Sequence, residues 1–155
     1  MNKSYKKILV AVDGSEQAES ALKEAIVLCK RDDAQLFVLH ATDRNSIYAA
    51  GNPVPAFPAP AIPVVPELSI LEENAENEAK EILERASALI NNEVKFEVIH
   101  LDGSAKNEIV DFAKEHEIDM IVMGSSGKGA LDRMLLGSTA VYVVKHSPCS
   151  VTIIK

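Results

Sequence analysis

Apolar residues gather in five short runs along the chain: KKILVAV (6–12), QLFVLHA (35–41), VKFEVIHL (94–101), IDMIVMG (118–124) and CSVTIIK (149–155). Four are apolar almost without interruption, the pattern of strands covered on both faces in a parallel sheet. The third alternates, with Val94, Phe96 and Val98 set against Lys95 and Glu97, and predicts an edge strand with one wetter face. Between the runs the period lengthens. Ala18, Leu22, Ala25 and Cys29 recur at helical spacing behind Ser15, a helix-capping residue type. Leu68, Leu71, Ala75, Ala79, Ile82, Ala86 and Leu89 form a longer stripe. Ile109, Phe112 and Ala113 form a third behind Ser104, and Val141 and Val144 mark a fourth that stops before Pro148. Strands alternating with helices predict an α/β fold with a parallel sheet and right-handed crossovers.

One segment breaks this rhythm. AGNPVPAFPAPAIPVVPEL (50–68) holds six of the seven prolines. Proline removes amide donors and clashes with the preceding helical turn, so the stretch reads as an extended excursion between strand two and helix two. An irregular surface loop is the expected role. A proline-reading partner's motif and a flap over a ligand site are the alternatives. The chain of 155 residues is otherwise read as one domain, 1–155, with this Pro-rich loop at about 50–67.

Charge narrows the possible partners. A formal net charge of -7 argues against broad binding to nucleic acid or to an acidic membrane surface, which wants a basic face. An anionic ligand would therefore need a locally positive pocket. Two cysteines, Cys29 and Cys149, are too few for a disulfide framework and are not spaced for metal. They read as reduced buried thiols. The apolar run ILVAV meets Asp13 too soon for a signal sequence, and no stretch approaches a membrane span. The expectation is a cytoplasmic protein.

The stretch GSSGKGALDRMLLGST (124–139) carries the densest chemistry. It lacks the P-loop spacing G-x-x-x-x-G-K-[ST], and it is not the dinucleotide fingerprint, which would follow the first strand. Its position still suits an anion. Gly124, Gly127 and Gly129 follow an apolar strand and let backbone approach a ligand with no Cβ in the way. Gly137, Ser138 and Thr139 then open the last helix, whose free amides and dipole favour phosphate. Spacing alone leaves a plain strand-to-helix turn equally open.

These residues also resemble a known family. Gly124, Gly127 and Gly137-Ser138 match the G-x2-G-x9-G-[S/T] pattern of the universal stress protein family, in its ATP-binding branch. The opening KKILVAVDGSEQAESAL and the ending SPCSVTIIK are similar to that family's first and last elements. The resemblance implies a single-layer, five-stranded parallel sheet in the order 3-2-1-4-5 with helices on both faces. That order puts strands one and four together where the winding reverses, the usual ligand crevice of open α/β sheets. The resemblance further implies ATP in that crevice. Asp13 would contact the ribose or base, and Ala11, Val12 and Ala41 would line the adenine pocket. Met123, Gly124, Ser125 and Gly127 would wrap ribose and phosphates, and Gly137, Ser138 and Thr139 would hold the phosphates. Lys128 is a phosphate contact or a solvated loop lysine, and Arg133 a weaker candidate. Relatives often carry His or Arg between the first two glycines, where this chain has Ser126. A Mg²⁺ or other divalent ion would bind through ATP's own oxygens. No metal-ligating set of side chains is expected.

Hydrolysis needs an oriented water and a base, and no residue stands out as that base. His40 reads as structural. No H-E-x-x-H spacing, G-x-S-x-G elbow, H-x-G-H or S-G-G-x-D-S signature occurs. The leading expectation is a stress-response or signalling module that holds an adenine nucleotide. A slow ATPase, an adenylyl-transfer enzyme and a nucleotide-free interaction protein are the alternatives. The last strand would form an exposed apolar edge, which a homodimer through residues 150–155 would cover, as the family often does.

Overall fold

The structure is a computed structural model that describes residues 3–51, 65–127 and 135–155. In chain order it runs β1 (Lys7–Ala11), α1 (Glu16–Asp32), β2 (Gln35–Thr42), α2 (Arg44–Gly51), α3 (Val65–Ile90), β3 (Phe96–Asp102), α4 (Ala105–Glu115), β4 (Met120–Gly124), α5 (Ser138–His146) and β5 (Ser150–Ile154). The five strands form one parallel sheet in the order β3-β2-β1-β4-β5. This is the α/β architecture and strand order the resemblance implies.

Helices cover both faces. On one, α1 and α3 close over Ile8, Val10, Leu36, Val38 and Val122. On the other, α4 and α5 pack on Leu9, Phe37, Leu39, Ile121 and Met123. Successive strand residues point to opposite faces, so the central strands must be apolar throughout, and Ile8, Leu9 and Val10 are all fully buried.

Helix α1 follows the expected stripe: Ala18, Leu22, Ala25 and Cys29 are buried and Ser15 caps it, accepting from the Ala18 amide at 3.2 Å. Ser104 occupies the N-cap of α4, but its side chain makes no capping bond. The fourth stripe needs correction. In α5 the buried residues are Ala140 and Val143, whereas Val141 is 40% and Val144 51% exposed. The helix is short and apolar on both sides, so its period could not identify the inward face. In β3, Val98 is likewise exposed, while β3 does stand at a sheet edge.

The second crossover also differs from expectation. Helix α2 was not legible because eight residues give too short a period. It starts on Asp43, whose carboxylate accepts from the Ser46 amide and hydroxyl. At the other end α3 begins at Val65, with Pro66 in its first turn, where a missing amide costs no helical bond. The ends of the Pro-rich segment are therefore helical, and its middle, 52–64, lies outside the described residues. Among the described residues no helix is long and apolar enough to cross a membrane.

Candidate functional site

The parallel register sets the site. Val10 pairs with Val122, so two residues further on Val12 runs alongside Gly124 where both strands end. From that point β1 turns toward α1 and β4 toward α5, on opposite faces of the sheet. The divergence opens a cleft of about 410 Å³, within the range of small-molecule sites. Ala11, Val12, Asp13, Ala41, Met123, Gly124, Ser125, Gly127, Gly137, Ser138 and Thr139 all line it. The structure thus gathers into one cleft the site residues expected from three separate parts of the chain. Lys128 and Arg133 lie outside the described residues.

One wall is the turn after β1. Gly14 takes a φ of +82°, a left-handed conformation that favours glycine. The turn folds Asp13 back so that its Oδ1 accepts from the Ser15 amide at 3.0 Å and the Ser15 hydroxyl at 2.5 Å. Ser15, not Asp13, caps α1.

Backbone makes the second wall. The Leu39 carbonyl accepts from the Val12 amide at 2.9 Å, and the Thr42 carbonyl accepts from the Gly103 amide on the opposite side. Ala41 shares the parity of Leu39, so its amide and carbonyl face past the end of β1, toward the cleft. His40 also reaches this wall. Its Nδ1 lies 2.8 Å from the Val12 carbonyl, which fixes the ring as a donor there. A structural role for His40 is what the sequence suggested.

The third wall is the loop after β4. The Ser125 carbonyl accepts from the Gly137 amide at 2.7 Å, which draws the start of α5 against the loop. Gly137 is the N-cap, and it has no side chain with which to cap α5. The first amides of that helix therefore lack intrahelical partners, at the end where the dipole is positive. Ser125 is 2% exposed, and its hydroxyl is the one buried side-chain polar atom without a hydrogen-bond partner among the described residues. Sequence reading missed the role of Ser126. It lines the cleft, and its hydroxyl donates to Gln17 Oε1 at 2.9 Å. Nothing local marks that pair, which spans α1 and β4.

No Lys or Arg stands among the described residues lining the cleft. Any anion there meets amides, hydroxyls and a helix end, with the Asp13 carboxylate against Gly127. Among the described residues no group of three or more His, Cys, Asp or Glu could hold a metal ion. Cys29 is buried, which pushes its thiol up to about 12 and leaves it inert.

Comparison with known proteins fits this geometry. The universal stress protein family model matches residues 4–155. A universal stress protein of Methanocaldococcus jannaschii is 33% identical over 152 residues, covering 97% of this chain and 82% of that protein. The solved universal stress protein UspA of Lactobacillus plantarum superposes with a TM-score of 0.80 at 33% identity, covering 99% of this chain and 100% of that one. A universal stress protein of Archaeoglobus fulgidus, solved in complex with dAMP, gives a TM-score of 0.66 at 26% identity, covering 99% of this chain and 100% of its own.

Proposed function

Because the chain belongs to the universal stress protein family, we propose that it is an ATP-binding stress-response module of the cytoplasm, with the nucleotide held in the cleft between β1 and β4. The dAMP complex of the Archaeoglobus fulgidus relative supports an adenine nucleotide as the ligand class. The observation that carries the reading is the buried Ser125 hydroxyl, without a partner among the described residues, beside the Gly137 start of α5. A buried polar group without a partner costs about 1–3 kcal/mol, and a phosphate oxygen would relieve it.

The residues fit such a ligand from end to end. Ala11, Val12 and Ala41 give an apolar slot with one backbone donor and one acceptor for the base edge. Asp13 accepts from a ribose hydroxyl and would repel phosphate, which sets the direction of binding. Met123, Gly124 and Gly127 line the path of the ribose and phosphates. The amides at Gly137, Ser138 and Thr139, with the Ser125 hydroxyl, take the phosphates as neutral donors. Lys128 adds a cation from the same loop. A divalent ion would bind through the phosphate oxygens, supplying charge neutralisation.

Of the titratable side chains on the cleft's described walls, His40 bonds the Val12 carbonyl, and Asp13 the Ser15 amide and hydroxyl. ATP therefore acts as a bound signal, and the assembly that displays it is a homodimer through β5. Calorimetric titration with ATP, ADP and AMP tests the reading. Saturable ATP binding that Gly127→Val abolishes is expected, and indifference of the native protein to millimolar nucleotide would end it. Single-turnover assay with Mg²⁺ should show no phosphate release on the timescale of seconds.

A further inference from the structure

We infer that Gln17, on the first turn of α1, is a positioning residue for the phosphate end of the cleft, acting through Ser126. The inference rests on the nucleotide reading above and adds to it a residue outside the glycine pattern.

Gln17 meets the loop after β4 at two points. Its Cβ would lie 2.9 Å, and its carbonyl carbon 3.1 Å, from a Cβ placed on Gly124. The loop therefore leaves the sheet pressed directly on the backbone of α1. One turn of loop later, Gln17 Oε1 accepts the Ser126 hydroxyl at 2.9 Å, and Ser126 is only 6% exposed. Steric contact at Gly124 and a hydrogen bond at Ser126 together fix two of the four residues 124–127.

The consequence falls on Ser125 between them. Its carbonyl is committed to the Gly137 amide at 2.7 Å and its amide to the Ile154 carbonyl at 2.8 Å. With both backbone groups and both neighbours held, Ser125 is fixed in the cleft's wall, and its buried hydroxyl has no partner among the described residues. The same bonds carry the position of α1 to the first residue before α5. Gln17 thus preorganises the donors for phosphate without touching the ligand, an indirect role of the kind that supporting hydrogen bonds play around binding sites.

A role in positioning differs from general packing in what it affects. The base meets Ala11, Val12 and Ala41, which this latch does not hold. Gln17→Met keeps the side chain's length and Cβ contact and removes the acceptor, and Ser126→Ala removes the donor. Calorimetry with adenosine and with ATP, on the native-like protein and both variants, separates the cases. Each variant should weaken ATP about threefold to tenfold, the worth of one hydrogen bond. Adenosine affinity should stay within about twofold, and the double variant should be no weaker than either single one. ATP affinity unchanged in both variants, or adenosine and ATP falling together, would overturn the inference. Unsubstituted protein that binds neither ligand would instead remove the nucleotide reading, and the latch with it.

Discussion

A Cβ placed on Gly127 would stand 2.8 Å from Asp13 Oδ2, so the loop after β4 passes against the carboxylate at the end of β1. The two strand ends share no sequence neighbourhood, yet each limits the side chain the other can carry. The contact falls on the far end of a side chain and not on backbone. Gly127→Ala should therefore fold, with Asp13 turned from its Ser15 bonds. Calorimetry should show adenosine and ATP weakened together, because the displaced group belongs to the sugar end. Unchanged affinity for both would refute the contact's importance.

Gly124 is constrained in another way, since the neighbours of its missing Cβ are the Cβ and backbone of Gln17. Backbone cannot swing aside. Gly124→Ala should cost about 1–3 kcal/mol of stability through overpacking, read as a lower urea midpoint at an unchanged slope.

Ser125→Ala should separate stability from binding. Removing a buried hydroxyl that lacks a partner should leave the ligand-free melting temperature level or higher. ATP affinity should fall about threefold to tenfold through the lost hydrogen bond. A drop in ligand-free stability would show that the hydroxyl is satisfied in solution.

The open edge of β5 supports a homodimer. Ile154 accepts from Ser125 across to β4, so by parity Val151 and Ile153 turn their amides outward. Val151→Pro removes one outward donor and no bond to β4. Sedimentation equilibrium should find the unsubstituted chain dimeric and this variant monomeric. A variant that remains dimeric would place the interface elsewhere.

Acid sensitivity should trace partly to Asp32. Its carboxylate accepts from the Arg31 guanidinium at 2.7 and 2.9 Å and from the Tyr5 amide at 3.0 Å. The Arg31 hydrogen bonds first, then the Tyr5 amide, lower it from an ordinary 3.8 to about 2. A carboxyl whose folded value is depressed stabilises the fold above its unfolded value, and that contribution fades as pH falls through the folded one. The stability gap between the unsubstituted chain and Asp32→Asn should shrink from about pH 4 to about pH 2. Urea titrations across that window would measure it, and a constant gap would exclude the mechanism.

By itself the sequence determined the elements and much of the cleft's lining. Continuous apolar runs such as ILVAV and MIVMG predict strands covered on both faces, and Gly124 is legible as the end of one, while the other ends at Ala11, two residues short of Asp13. The stripe from Ala18 to Cys29 named its own buried face because polar residues fill the other side of α1. Local pattern lost its power where a segment was short or apolar on both sides, as in α2 and α5. Only tertiary structure decided that Val141 and Val144 stay exposed, that Gln17 receives Ser126, and that Ser125 is left with no partner. Each of these depends on which distant element arrives beside a residue. Periodicity records how often a residue meets a face, but not which atoms stand on the other side.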